Sequence, residues 1–309
     1  MSWGKAAVAL SDNMRGILYM NVSMLAFTLN DTFVKAVMQN LPLFEVIFLR
    51  GLLSSLTLMA IAMVTQGGLK LWPEGPDRKV LGWRTLGEIG ATLLFLWALT
   101  QMPLANLSAI MQFLPVAVTL AAALILHEPI GWRRMLAILA GFAGVMMIIR
   151  PGAAAFDSNA LLGLGAVAFV VLRDLSTRGF STALPSVTPA LWAALAVTLM
   201  GFIGMLFQGA VLPDLREALL ILGAAAFLIV AYLFAVMVMR VGDIGVVAPF
   251  RYMALLWAIV LGWLLFGTLP DAWTLRGAVV VVASGIYILL RERRLRLARI
   301  AEGGPNLDT

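Results

Sequence analysis

Apolar stretches separated by short polar turns run through nearly the whole chain. A helix that crosses a bilayer needs about 20 mostly apolar residues. Ten such stretches can be placed, at 16–36, 44–65, 83–102, 105–126, 132–150, 159–179, 188–208, 218–239, 244–267 and 272–290. Turn residues mark most joins, as in Asn40-Leu41-Pro42 and His127-Glu128-Pro129. The longest early join, Thr65 to Leu81, holds Gly67, Gly68, Pro73, Gly75 and Pro76. The tail after Arg291 is basic, then polar with glycine and proline, and is expected to fray. The pattern predicts an all-α integral membrane protein with ten transmembrane helices.

The pattern is written twice. Asn30-Asp31-Thr32-Phe33-Val34-Lys35 and Arg173-Asp174-Leu175-Ser176-Thr177-Arg178 each set an acid four residues before a base within an apolar stretch, 143 positions apart. Pro129-Ile130-Gly131-Trp132 matches Pro270-Asp271-Ala272-Trp273, and Gly144 and Arg150 match Gly285 and Arg291, at an offset of 141. Internal repeats of this kind typify secondary transporters. Five is an odd number of spans, so the second repeat enters the membrane from the opposite side and the repeats are inverted. The expected division is 16–150 (spans one to five), 159–291 (spans six to ten) and a basic cytoplasmic tail, 292–309.

Composition agrees with a membrane class. Of 309 residues, 62% are hydrophobic and only 12% charged, where soluble domains carry about 25% charged residues. The net charge of +6 does not point to nucleic acid, because the bases lie between apolar stretches rather than in one patch. They set orientation instead. With both termini cytoplasmic, only Lys35, Arg150, Arg216 and Arg276 fall outside, and Arg50, Arg173 and Arg251 fall within spans. All other lysines and arginines lie inside. A multi-pass protein of a bacterial-type inner membrane is expected. Ser11, Asp12, Asn13 and Arg15 break any early signal-peptide core. No cysteine is present, and the lone His127 has no second histidine or cysteine nearby, so no metal or cofactor is expected.

Charged groups at membrane depth are costly and face protein or water, which makes them the candidates for function. Asp31 and Lys35 share a helix face. They read either as a proton or substrate-amine site at Asp31, or as a self-satisfied ion pair with Lys35 reaching the surface. Arg173 and Asp174 point to different faces. Asp174 can pair with Arg178 one turn later, leaving Arg173 for an acid in another span or a substrate carboxylate. Arg50 reads as a structural staple to Asp31 or as an anion site, and Arg251, after Pro249, as a cavity residue. Arginine suits a carboxylate or phosphate. Asn30, Trp97, Gln112 and Tyr252 are candidate orienting groups, though any of them can instead bond between helices. The expected substrate set is therefore Asp31, Asn30, Arg50, Trp97, Gln112, Arg173, Arg251 and Tyr252. Asp31, Asp174 and Glu88 are the proton-coupling candidates; Glu88 is also expected to reach the inner surface beside Arg84. Pro115 and Pro249 are expected to interrupt spans four and nine.

Phe48-Leu49-Arg50, Ala98-Leu99 through Pro103-Leu104-Ala105, Phe113-Leu114-Pro115-Val116, Leu126-His127-Glu128-Pro129, Gly141 to Gly144, Ile149-Arg150-Pro151-Gly152, Ala248-Pro249-Phe250-Arg251-Tyr252 and Gly262-Trp263 through Gly267 occur in this order. In that order and spacing, from about 16 to 292, the chain resembles the drug/metabolite transporter superfamily, in its ten-span branch with two EamA-type repeats. One departure is Thr268, where the first repeat has Glu128. The resemblance implies secondary transport of small metabolites by alternating access, without an ATP site. It leaves open an amino-acid-like or organic-anion-like substrate, coupled to protons or exchange; a riboflavin-like or nucleoside-like uptake carrier; and a multidrug exporter. The lipid bilayer and a small-molecule substrate are the expected partners, with a homodimer an open assembly and no nucleic acid. An enzyme is not expected: no Ser/His/Asp set, paired acidic metal motif or phosphate loop is present. A channel is disfavoured by the inverted repeat.

Overall fold

The computed structural model describes residues 12–66, 73, 75–125, 131–150, 158–181, 184, 185, 187–238 and 247–301. These form helices α1 (Asp12–Val37), α2 (Leu43–Gln66), α3 (Asp77–Gln101), α4 (Leu104–Met111), α5 (Leu114–Ile125), α6 (Trp132–Ile149), α7 (Ala160–Thr177), α8 (Val187–Gln208), α9 (Leu215–Val238), α10 (Met253–Phe266) and α11 (Ala272–Ala301), with a 3-10 segment at Ala248–Tyr252. Helices α4 and α5 together make span four, and the 3-10 segment leads into α10 as span nine. Ten spans follow at the predicted places. Seven are long and apolar enough to cross a membrane on length and composition alone. Helices α1 and α3, with 26 and 25 residues, have the length and carry intramembrane charges. The chain is an all-α, multi-pass membrane protein.

Spans pack in a way that exchange of the two halves preserves. The principal pairs are α1 with α9, α3 with α7, α2 with α8 and α6 with α11. Numbered as spans, one meets eight as six meets three, while two meets seven and five meets ten across the halves. The secondary pairs, α1 with α10 and α7 with α4 and α5, obey the same exchange.

Close approach is bought with glycine. A Cβ on Gly277 of α11 would stand 2.6 Å from the carbonyl oxygen of Gly144 in α6. A Cβ on Gly87 of α3 would stand 2.7 Å from the backbone nitrogen of Arg173 in α7. Helices can touch backbone to backbone only where the side chain is missing, and lipid supplies no hydrophobic drive between spans, so such packing holds them together. The α1–α9 pair is instead filled by rings: Tyr19 with Phe234, Phe27 with Tyr232 and Phe33 with Phe227, each edge-on with centroids 5.4–5.6 Å apart.

Two boundaries differ from the sequence reading. Helix α3 starts at Asp77, several residues before the apolar run, because Asp77 is held at its first turn by Ser181. The basic tail does not fray at Arg291. Helix α11 continues to Ala301, through arginine, leucine and alanine, which favour helix; residues 302–309 lie outside the described residues.

Candidate functional site

The polar path starts on α1 and α2. Asn30 is buried, and its amide donates to the Asp31 carboxylate at 2.8 Å. The Asn30 side-chain oxygen accepts from Arg50 Nη1 at 3.4 Å, and Arg50 and Asp31 interact electrostatically. Nε of Arg50 is buried without a hydrogen-bond partner among the described residues. Asn30 thus holds an acid with one end and meets a base with the other.

Lys35 does not close an ion pair on Asp31. Its ammonium donates to the carbonyl oxygens of Leu99 at 2.6 Å and Met102 at 2.8 Å, at the C-terminal end of α3, and stands 5.7 Å from the Phe266 ring centroid. Those carbonyls are the unsatisfied acceptors at a helix end, where a cation is favourable. The competing acceptors of another span win over the carboxylate one turn back.

A second cluster joins α3 to α7. Glu88 lies 3.6 Å from Arg173 Nη1 and 4.0 Å from Arg84. Arg173 also binds Asp174, through Nε and Nη2 at 2.9 Å. Arg84 Nη1 donates to the carbonyl of Pro189 at 2.9 Å. Two expectations are corrected. Adjacent Arg173 and Asp174 do not go separate ways, because the long arginine side chain folds along the helix to its neighbour. Glu88 does not reach the surface beside Arg84; its side chain is 17% exposed and bridges two arginines from two spans.

Tyr232 of α9, 52% exposed, packs edge-on against Phe27 of α1 with centroids 5.4 Å apart, and interacts electrostatically with Glu88, Arg173, Arg50 and Arg84. The sequence reading passed over it. Its signal was weak: all four tyrosines of the chain fall within spans, and Tyr232 differs only in having no charged residue within seven positions. Together Asp31, Glu88 and Asp174 balance Arg50, Arg84 and Arg173, three acids against three arginines. Such a path can receive a carboxylate at one point and a cationic group at another without either carrying net charge into the bilayer.

The other candidates stand apart from this path. Gln112 is buried at the break between α4 and α5. Tyr252 is buried with its hydroxyl pressed against Gly285 of α11 and without a hydrogen-bond partner among the described residues. Arg251 is exposed on the 3-10 segment, and Trp97 is half exposed on α3. His127 and Glu128 lie outside the described residues. The breaks in spans four and nine fall at Pro115 and Pro249, as expected from proline's missing donor. A groove of about 560 Å³ between α6 and α11, lined by Trp132, Arg133, Leu136, Val280 and Tyr287, is mostly apolar and includes none of the charged residues of the path.

Spans five and ten are tied at one end. Arg150, in a left-handed conformation at φ 51°, forms an ion pair with Asp271, which also accepts from the backbone nitrogen of Thr274 at 2.7 Å. The Thr274 bond, then Arg150, hold this carboxyl below its usual range.

Residues 14–150 match the EamA-like transporter family. The S-adenosylmethionine uptake transporter of Rickettsia prowazekii (strain Madrid E) is 27% identical over 93% of this chain and 96% of its own length. The pseudopaline exporter of Pseudomonas aeruginosa is 26% identical over 88% and 95%, and the riboflavin transporter of Vibrio cholerae 29% over 67% and 71%. A protein of known crystal structure superposes with a TM-score of 0.61 at 19% identity, over 91% of this chain and 98% of that one, which shows a shared fold. The chain is a membrane transporter and not an enzyme.

Proposed function

We propose that this chain, whose residues 14–150 belong to the EamA-like transporter family, is a secondary carrier of an amphoteric metabolite that presents both a carboxylate and a cationic group. The observation that carries the reading is the Asn30 bridge: Asp31 and Arg50 sit on its two ends, and Arg50 retains a buried donor without a partner among the described residues. Arg50 receives the carboxylate and Asp31 the cationic group, with Tyr232 and Glu88 continuing the path toward Arg173. The two repeats, 16–150 and 159–291, rock about this path and expose it to each side in turn. Asp31 carries the coupling proton when no substrate cation occupies it. Both termini lie in the cytoplasm, in a bacterial-type inner membrane. S-adenosylmethionine, named for one relative, is a compound of this amphoteric kind.

Uptake into proteoliposomes tests this. Amino-acid-like zwitterions should be carried with saturation and counterflow, and should raise the melting temperature. A ligand at a hundredfold excess over Kd stabilises by about 2.7 kcal/mol. Transport restricted to neutral rings or to lipophilic cations would overturn it. A neutral ring has one point in its favour, the Phe27–Tyr232 ring pair beside Arg50.

A further inference from the structure

Two hydrogen-bonded contacts at opposite ends of the bundle are the same contact in the two halves. At one end, Asn40 in the turn after α1 donates through Nδ2 to Glu217 Oε1 at 3.0 Å, on the first turn of α9. At the other, Ser181 in the turn after α7 donates to Asp77, on the first turn of α3, through its backbone nitrogen at 3.0 Å and its hydroxyl at 2.6 Å. Asn40 and Ser181 are 141 positions apart, the repeat offset read from the sequence, and Asp77 and Glu217 are 140 apart. Both carboxylates are buried, at 7% and 8% exposure, while both loop partners are exposed. Each contact closes the end of one of the two equivalent pairs, α1–α9 and α7–α3.

A buried carboxylate bonded to a solvent-facing turn is the form a reversible closure takes: it is satisfied when shut and hydrated when open. The equivalence matters because the repeats are inverted. A contact and its repeat-related copy then lie on opposite faces of the membrane, as the two gates of an alternating-access carrier must. We propose that Asn40–Glu217 and Ser181–Asp77 are the outer and inner latches of the transport cycle, and that releasing one shifts the carrier toward the state open on that face. The inference rests on the alternating-access reading above. The second Glu217 oxygen accepts from the backbone nitrogen of Asp214 at 2.9 Å, a cap within the start of α9 that holds the carboxylate in place for Asn40, and Glu45 of α2 accepts from Val211 of the same loop at 2.9 Å.

The chain has no cysteine, so a single introduced thiol is the only reactive one. Tyr232→Cys places it on the path. Labelling by a membrane-impermeant maleimide is measured from each face, in right-side-out and inside-out vesicles, and needs no substrate. Glu217→Ala should raise labelling from the outer face several-fold and lower it from the inner face; Asp77→Ala should do the reverse. Should either variant fail to reach the parent's melting temperature, Asn40→Ala and Ser181→Ala make the same comparison at exposed loop side chains. Unchanged labelling, or shifts in the same direction for both latches, overturns the latches and leaves the carrier reading standing. Passage of the impermeant reagent through the parent into the vesicle lumen, as through an open pore, overturns the carrier reading itself.

Discussion

The ammonium of Lys35 and the carboxylate of Asp31, one turn apart on α1, are not partners: Lys35 binds the carbonyls that end α3, and Asp31 is held by Asn30. The two charges are therefore separable by mutation. Lys35→Met should lower the melting temperature, since hydrogen bonds from a charged donor contribute about 1.5–3 kcal/mol, and should leave substrate Kd within about twofold. Asp31→Asn should do the opposite, abolishing transport while the folded yield holds. Ligand-dependent melting curves of both variants check this. Loss of binding in Lys35→Met would return Lys35 to the site.

Glu88 and Arg173 should be coupled. Removing either leaves charge buried between α3 and α7, where an orphaned partner is costly. Glu88→Gln and Arg173→Gln should each destabilise the protein. The double variant should lose less than their sum, by roughly 0.5–3 kcal/mol, the range found for residues in contact or in one ion-pair network. Additive losses in a double-mutant cycle measured by denaturation in mixed micelles would show that the 3.6 Å contact contributes nothing.

Glycines on packed and open faces should respond oppositely. Gly277→Ala puts a Cβ 2.6 Å from the Gly144 carbonyl, a backbone atom with nowhere to go, and should cost about 1–3 kcal/mol, as overpacking does. Gly82→Ala, in α3 with nothing within 4 Å of its Cβ, should be neutral or stabilising by up to about 1 kcal/mol through helix propensity. Melting temperatures of the two variants decide it.

The spans were legible because each is a continuous apolar run of a length set by the bilayer, and the likeness of the α1–α9 and α7–α3 pairings because an offset near 141 recurs. Partners were far less legible. Spacing along one helix offers Asp31 to Lys35 and Asp174 to Arg178, but Lys35 goes to carbonyls of another span, and Asp31 and Asp174 are held by their immediate neighbours Asn30 and Arg173. The acceptors that α3 supplies to Lys35 are not visible in a single sequence. Tyr232 was missed because its contact with Phe27, and with it its nearness to the α1 charges, arises only when α9 packs on α1. The Asn40–Glu217 and Ser181–Asp77 contacts sit in polar turns, which the reading treated as connectors, although the repeat offset relates them.

Asp271 offers a pH test outside the membrane. Its carboxyl is held below the usual range, first by the Thr274 backbone bond and then by Arg150. A depressed folded-state pKa means that ionised Asp271 stabilises the fold above the ordinary aspartate value, ~3.9, and that this stabilisation is lost as pH falls through the lower folded value. Asp271→Asn should therefore melt below the parent at pH 7, by a small margin because the carboxylate is 48% exposed and solvent screens it. The two melting curves should converge as pH drops below about 3.9. Taking the difference between parent and variant at each pH removes the other carboxylates, which titrate in both. A gap that stays constant down to pH 3 would mean that Asp271 acts through packing and capping geometry, and that its charge on Arg150 does not hold spans five and ten together.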